Sequence, residues 1–146
     1  MIKAKDLRIG DLVKLNESCF LTEKGTIGKV ADIYSLRQCG NKKGVVTLEF
    51  TEGYARSQNV WCRNIDPIPL TPEILKKNGW KKRTEGWYFM MISKYMYLSV
   101  EFGYENGIRV FLKRTTGLYV KLNIANNVHE LQHILWALGK DANLKI

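Results

Sequence analysis

IDPIPLTPEILKKNGW, residues 65–80, is the stretch that decides how this chain is organised. Pro67 and Pro69 end a β-strand, because proline has no amide N–H to donate to a sheet and favours extended backbone in the residue before it. On each side of these prolines the chain has its own group of β-type runs. The sequence therefore predicts a boundary here, with one domain over residues 1–66 and a second over residues 67–146.

A short helix is predicted directly after the prolines. Thr71 can cap its N-terminus through the side-chain oxygen, and Pro72 suits its first position because the amide there has no helical hydrogen bond to lose. Gly79 stands where a helix C-terminus commonly needs a left-handed residue. These signals predict one helix over residues 73–78.

Before the boundary, short β-type runs alternate with glycine and charged residues. No apolar stripe of helical period and useful length interrupts them. Four or five short strands within about seventy residues are typical of a small, partly open barrel of the SH3-like type, which limits exposed sheet edges. The runs that predict these strands are DLVKL, TIGKVADIY, GVVTLEF and NVWCRNI.

After the boundary, aromatic and β-branched runs predict an antiparallel meander of about four strands. The runs are WYFMMI, KYMYLSVEF, IRVFLKR and LYVKLN, and Asn106-Gly107 favours a tight hairpin between two of them. A final helix is predicted from about residue 127 to residue 138, ended by Gly139. The expected fold class is α+β: a small SH3-like β barrel, then an antiparallel β meander with a packed C-terminal helix.

The charge of the chain favours an anionic partner. There are 23 Lys and Arg against 14 Asp and Glu, a formal charge of +9. Residues 71–146 hold 12 basic and 6 acidic side chains, net +6, and residues 1–70 hold 11 and 8, net +3. Such a surface attracts polyanions, so nucleic acid or an acidic protein is the expected partner, although many basic proteins bind no nucleic acid.

The most basic segment is KKNGWKKR, residues 76–83, which places five positive charges around one indole. Its lysines and arginine could neutralise phosphates while the tryptophan stacks on a base, a combination used to bind single strands. In the alternative interpretation, the lysines are solvated and the tryptophan packs into the meander. The nucleic-acid-binding candidates are Lys76, Lys77, Trp80, Lys81, Lys82 and Arg83.

A second candidate surface is the meander itself, which is crowded with aromatic residues. Because alternate side chains of a strand point to opposite faces, about half of them must face away from the helix. They could form an exposed platform for bases or for a protein partner, or they could fill a core. The residues concerned are Trp87, Tyr88, Phe89, Tyr95, Tyr97, Phe102, Tyr104 and Phe111.

HELQH, residues 129–133, matches the H-E-x-x-H pattern of zinc hydrolases. His129 and His133 stand one helical turn apart, as two zinc ligands require, and Glu130 could act as the general base. A third ligand is the difficulty, because the chain has no other histidine and offers only Asp141 downstream as a carboxylate. A small zinc metallohydrolase is therefore the alternative function, with zinc as its cofactor.

A helical wheel argues against that alternative. At about 100° per residue, the apolar stripe of this helix must face the core, which places both histidines of the motif on the outward side. A catalytic pair on that side would have little remaining chain to build a cleft around it. The stripe consists of Leu131, Ile134, Leu135 and Leu138.

The cysteines and the apolar content point to a cytoplasmic protein. Cys19, Cys39 and Cys62 are odd in number and widely spaced, which favours reduced thiols over a disulfide framework. The start of the chain does not have the pattern of a signal peptide, and the longest apolar run, WYFMMI, is far shorter than the ~20 residues of a membrane span. We expect no membrane contact.

Three stretches together resemble a group of uncharacterised small proteins of Bacteroides-type gut bacteria and their phages or mobile elements. VHELQHILWALG resembles the group's C-terminal signature V-H-x-L-Q-x-L-x-x-A-L, KAKDLRIGDLV its L-R-I-G start, and IDPIPLTPEILKKNGW its P-I-P-L-T linker. Within that signature Glu130 and His133 stand at variable positions, which implies a packing helix. The resemblance implies no established activity.

The predicted function is that of a non-enzymatic binding or accessory protein of a phage or mobile element. Its contact with nucleic acid or an acidic protein is expected through the basic second half of the chain, without a cofactor. The sequence has no Gly-rich phosphate loop, Ser-His-Asp series or paired-carboxylate motif.

Overall fold

The structure, a computed structural model, describes residues 2–19, 22–34, 44–51 and 56–146. The chain divides into two compact units, Met1–Ile68 and Pro69–Ile146. Each unit contains a five-stranded antiparallel sheet, and the second unit also contains α-helices. The predicted α+β class is confirmed.

The first unit has its strands in the order β4-β3-β2-β1-β5, with antiparallel neighbours throughout. The strands are β1 Leu12–Leu15, β2 Ile27–Tyr34, β3 Val45–Phe50, β4 Ser57–Trp61 and β5 Ile65–Pro67. Two 3-10 helices accompany them, Ala4–Asp6 and Cys62–Asn64. β5 lies beside β1, and β4 and β5 form the two edges, so the first unit is an open five-stranded sheet and not a closed barrel.

Burial in the first unit follows the two-residue period of its strands. In β1, for example, Val13 and Leu15 are buried, whereas Leu12 and Lys14 are partly exposed. Gly28 lets β2 pass close to its neighbour, since a Cβ at this position would lie 2.9 Å from Phe50 Cε1. The buried apolar side chains of this core are Ile2, Leu7, Val13, Leu15, Val30, Val46, Leu48, Phe50, Val60, Cys62 and Ile65.

The second unit has five strands in the order β10-β9-β8-β7-β6, a simple antiparallel meander. The strands are β6 Lys81–Thr84, β7 Trp87–Ser93, β8 Met96–Glu101, β9 Arg109–Arg114 and β10 Tyr119–Ile124. The sequence predicts about four of them. The additional strand is β6, Lys81–Thr84, whose four residues are all exposed. It contains no apolar residue, so its sequence lacks the alternation that predicts a strand.

One face of the second sheet forms the core of the unit, and we call it the core face. Tyr88 pairs with Val100, and Val100 pairs with Val110, so these three side chains lie side by side. They are at most 2% exposed, as is Leu98 on the same face. The C-terminal helix of the same unit buries its own apolar side chains Val128, Leu131 and Leu135.

The first helix, α1, spans Pro72–Lys77 and begins as predicted. Thr71 is its N-cap, and its side-chain oxygen accepts the amide N–H of Ile74 at 3.4 Å. Gly79 follows the helix with φ +78°, the left-handed conformation expected there. Local signals alone therefore place this helix to within one residue.

The C-terminal helix, α2, spans Val128–Ala137 with Asn127 as its N-cap. The Asn127 amide donates to the Glu130 carboxylate at 3.0 Å, which is one half of a capping box. Gly139, with φ +65°, lies just beyond its end. None of the helices in the described ranges combines the length and apolar character needed to cross a membrane.

The connection between β8 and β9 is longer than the Asn-Gly pair predicts. Glu101 and Arg109 form the last pair of the two strands, so residues 102–108 make a loop and not a two-residue hairpin. Within it, Gly107 has φ +98° and donates its N–H to the Tyr104 carbonyl at 3.0 Å. Asn126 holds the loop from outside the hairpin by accepting the Ile108 amide at 2.9 Å, a contact that local sequence cannot predict.

Candidate functional site

The second sheet has another face, opposite the core face, on which aromatic and basic side chains alternate with the core residues. Cross-strand pairing arranges them in two rows. The first row is Lys81, Phe89, Ser99, Phe111 and Lys121. The second row is Met91, Tyr97, Lys113 and Tyr119. Together with Trp87, which pairs with Glu101, these rows form what we call the aromatic-basic face.

Aromatic rings on this face contact one another edge to face. Phe89 and Tyr97 have ring centroids 6.0 Å apart, and Phe111 and Tyr119 have centroids 5.8 Å apart. Phe111 is buried beneath this layer, whereas Tyr119 is 66% exposed. The packing therefore fixes the orientation of the Tyr119 ring, which remains largely exposed.

A buried ion pair lies in the middle of the aromatic-basic face. Lys113 pairs with Glu101, whose side chain is only 3% exposed. The same carboxylate accepts the Ser99 hydroxyl at 3.2 Å and the Tyr104 hydroxyl at 3.1 Å. The Lys113 ammonium also lies 4.6 Å from the centroid of Trp87. The hydrogen bond to Glu101 raises the pKa of Tyr104, because that bond favours the protonated phenol.

The charge of the second sheet is almost entirely positive. Its five strands contain seven basic residues and a single acidic one, Glu101, which is buried and paired as just described. The strands themselves therefore contribute no exposed carboxylate. The basic residues are Lys81, Lys82, Arg83, Arg109, Lys113, Arg114 and Lys121.

The predicted basic segment is divided among three places. Lys76 and Lys77 are exposed on α1 and belong to neither row of the aromatic-basic face. Lys81 lies in the first row of that face, and Arg83 reaches it by donating to the Tyr97 hydroxyl at 3.3 Å. Two members of the segment are thus brought to the aromatic residues.

Lys82 and Trp80 lie outside the aromatic-basic face. Lys82 pairs with Tyr88 of the core face, so it points to the other side of the sheet, and its ammonium contacts Glu85 at 2.5 Å. Trp80 is 4% exposed, so its indole has no free face on which a base could stack. The alternative interpretation, in which this ring packs into the unit, describes its position.

The aromatic platform predicted from sequence is divided in the same way. Tyr88 belongs to the core face, and Phe102 packs against it edge to face at 5.9 Å. Tyr95 is 63% exposed in the β7–β8 turn. Tyr104 lies under Arg109, whose guanidinium carbon is 3.8 Å from the ring centroid. The remaining predicted members, on the aromatic-basic face, are Trp87, Phe89, Tyr97 and Phe111.

Sequence reasoning missed the residues that complete the face, Lys113, Tyr119 and Lys121. A two-residue alternation through IRVFLKR and LYVKLN was the available signal, since it separates Phe111 and Lys113 from Val110 and Leu112. Alternation does not say which of the two sets faces the helix. The pairing register was needed to bring Tyr119 beside Lys113.

The HELQH motif forms the first turns of α2. Both histidines were expected to face outward, and this is wrong for His129, which is only 5% exposed. The buried side of the helix also includes Gln132, whose amide donates to the Ala142 carbonyl at 2.9 Å. The chain after the helix thus covers a side that a helical wheel treats as open. His133 is partly exposed, with its ring centroid 5.8 Å from that of His129.

The acidic residue of the motif is occupied in holding the helix. Glu130 accepts the backbone N–H of Asn127 at 3.0 Å and its side-chain amide at 3.3 Å. Throughout the part of the chain that the structure describes, no three His, Cys, Asp or Glu side chains are grouped as metal ligands would be. Glu130 therefore has the hydrogen bonds of a residue that caps the N-terminus of α2.

Two of the three cysteines lie in the described ranges. Cys62 is buried in the first unit, and its burial raises the pKa of the thiol because the charged thiolate is poorly solvated there. Cys19 is partly exposed, and both thiols are free. Cys39 lies outside the described residues.

Comparisons with known proteins do not assign a family. No protein-family model, curated protein or solved structure matches the chain. Function must therefore be inferred from the chemistry of the aromatic-basic face.

Proposed function

We propose that this protein is a non-enzymatic binding protein that holds single-stranded nucleic acid on the aromatic-basic face. The observation that carries the proposal is the composition of the second sheet, with seven basic residues and one acidic residue that is buried and neutralised. A polyanion approaching this sheet meets no exposed carboxylate from its strands. Neutralising phosphates by Lys and Arg releases counterions and supplies most of the affinity in such complexes.

The arrangement of the face favours a single strand over a duplex. The first row has Lys81 on edge strand β6 and Lys121 on edge strand β10, with the partly exposed ring of Phe89 between them, whereas Phe111 in the same row is buried. Unstacked bases can lie on central aromatic rings while basic residues at the edges hold the backbone. In a duplex, by contrast, the base faces are stacked on one another and unavailable to aromatic rings.

Positive charge alone would also suit an acidic protein, but aromatic rings add the preference for bases. Tyr119 is 66% exposed and Tyr97 is partly exposed on this face. Each base stacked on such a ring contributes about 1–3 kcal/mol. An origin in a phage or mobile element, suggested by the resemblance of three stretches, and a cytoplasmic location are part of this proposal.

The zinc metallohydrolase is not proposed, because no observation on the described residues favours it. Its general base would be Glu130, and that carboxylate caps α2. Its first ligand would be His129, which is buried.

Fluorescence anisotropy with labelled oligonucleotides tests the proposal. The full chain should bind single-stranded RNA or DNA more tightly than duplex of the same length, and the affinity should fall steeply as salt rises. Replacing Lys81 and Arg83 with glutamine should weaken binding and lower the salt slope by about one for each lost phosphate contact.

The matched control replaces Lys76 and Lys77 with glutamine, which removes two positive charges from the same segment but from α1. Its loss of affinity should be clearly smaller than that of the sheet variant. Equal losses would mean that net charge and not the face controls binding. No oligonucleotide binding at low salt would overturn the proposal and leave an acidic protein as the partner to seek.

A further inference from the structure

β10 is an edge strand of unusual composition. It pairs with β9 on one side and is the outermost strand of the second sheet on the other. Leu118, which immediately precedes the strand, and Tyr119 and Val120 at its start are 66%, 66% and 63% exposed. Because neighbouring side chains of a strand point to opposite faces, this end of β10 is uncovered on both faces. Isolated exposed apolar residues are ordinary, but three in succession on a free edge mark a contact surface.

The two edges of the same sheet differ in how they resist association. β6, the opposite edge, reads Lys81-Lys82-Arg83-Thr84, and three adjacent positive charges prevent another strand from pairing with it. β10 has one charge, Lys121, in six residues. The sheet is therefore protected at β6 and open to strand addition at β10.

The backbone of β10 has a pattern that suits a copy of itself. The Leu118 carbonyl accepts the Arg114 amide of β9 at 2.7 Å, so the backbone groups of Leu118 point inward. Backbone groups alternate in direction along an antiparallel strand. The N–H and C=O groups of Tyr119 and Lys121 therefore point away from β9, towards the free edge.

We propose that this free edge pairs with β10 of a second copy of the chain, forming a two-fold symmetric dimer with a continuous ten-stranded sheet. The register that fits is centred on Val120. Tyr119 and Lys121 of one copy then exchange backbone hydrogen bonds with Lys121 and Tyr119 of the other, and the two Val120 side chains face each other.

Charge selects this register over its neighbour. Centring the pair on Lys121 would place two ammonium groups directly opposite each other, which destabilises a strand pair. Centring it on Val120 places each Lys121 opposite a tyrosine ring, where cation–π attraction is available. A partner chain of different sequence would need to match this pattern, whereas a second copy matches it by symmetry.

The dimer would also extend the aromatic-basic face. Two-fold pairing about an axis perpendicular to the sheet leaves that face on the same side in both copies. Lys121 and Tyr119 would then lie at the centre of a double-width surface. The dimer itself follows from the edge of β10 and does not rest on nucleic-acid binding.

Sedimentation velocity and light scattering on the full chain test the dimer over a concentration series. Twice the mass of one chain is expected at high concentration. Val120→Lys should weaken the dimer by roughly tenfold or more, since it sets two like charges against each other at the two-fold axis. Thr84→Lys adds the same charge to the β6 edge and should leave the dimer unchanged.

A cysteine at the axis gives a second test that is independent of Val120→Lys folding. The two Cα atoms at a non-hydrogen-bonded antiparallel pair lie about 4.5 Å apart, within the range of a disulfide. Val120→Cys should therefore form a 120–120 cross-link on mild oxidation, identified by mass spectrometry of the linked peptide. Thr116→Cys, in the exposed β9–β10 turn, should cross-link far more slowly.

A chain that remains monomeric at every concentration would overturn the dimer. So would a dimer that Val120→Lys leaves intact and in which Val120→Cys forms no cross-link. Loss of dimer in Val120→Lys with single-stranded binding retained would separate this inference from the proposed function.

Discussion

The two sheets of this protein have the same number of strands and the same antiparallel pairing, yet the net charges of their strands have opposite signs. The strands of the first sheet contain two basic residues, Lys14 and Lys29, and three acidic ones, Asp32, Glu49 and Asp66. The strands of the second contain seven basic residues and one buried acidic residue.

The cores do not explain this difference. Leu48 in the first sheet and Leu98 in the second are both fully buried. Core positions are restricted by the free energy of burying apolar surface, whereas the other face of a sheet tolerates any side chain that does not oppose strand formation. Two sheets with equivalent cores can therefore differ widely in what they bind.

The largest effect is expected where the second sheet neutralises its acidic residue. Lys113→Met leaves Glu101 buried without its cation, which should cost about 3–5 kcal/mol of unfolding free energy in a urea titration. The control is Lys82→Met, which removes an exposed pair with Glu85 and should change the free energy of unfolding far less.

The double variant Lys113→Met with Glu101→Gln should recover part of the loss, because the uncompensated charge is gone. Equal costs for Lys113→Met and Lys82→Met would show that the pair in the centre of the sheet is solvated. The two sheets would then differ only in the charge of their exposed side chains.

A second experiment asks whether the cores are as equivalent as their burial suggests. Leu48→Ala and Leu98→Ala should each cost about 2–5 kcal/mol, since both remove three carbons from a fully buried site. Ile9→Ala, at a residue that is 70% exposed, should change stability by less than about 0.5 kcal/mol. If Leu48→Ala or Leu98→Ala changed stability as little as Ile9→Ala, the core of that sheet would not be as well packed as its burial indicates.

The two units also differ in their helices: the second has α-helices, whereas the described helices of the first are of the 3-10 type. The smallest effects are expected for substitutions in α2. His129→Ala removes a buried ring and should cost about 1–3 kcal/mol, whereas His133→Ala should cost less than about 1 kcal/mol. Thermal unfolding of both variants, with and without added zinc, is the measurement.

A stabilisation by zinc that both histidine variants abolish would contradict the assignment of HELQH to helix capping and packing. If both substitutions lowered the thermal stability by the same small amount, His129 would face outward, as the helical wheel predicts.

Local sequence predicts the parts of this fold that depend on a few adjacent residues. Thr71, Pro72 and Gly79 predict α1 because a side-chain cap, a restricted φ and a left-handed residue act within a single turn. The β-type runs predict strands for the same reason. β6 escaped prediction because Lys81–Thr84 pairs with β7 without burying any of its own side chains.

The candidate site was predicted only in part. Lys81 and Arg83 were identified from charge, and Phe89, Tyr97 and Phe111 from aromatic content. Trp80 was placed among them because a sequence pattern does not show which ring is covered. Lys113 was not identified because its role depends on Glu101, its partner on the neighbouring strand, and on a register set by the whole meander.

By itself the sequence determined the fold class, the change of pattern at the prolines, the capped helices and the excess of positive charge in the second half. These depend on local backbone preference and on composition, which each residue contributes independently of distant ones. Only the tertiary structure decided which side chains share each face of the second sheet, that Trp80 and His129 are buried, and that β10 lies at an edge of that sheet. Each of these depends on packing between residues far apart in the chain, where burial and pairing are shared properties and no single residue specifies them.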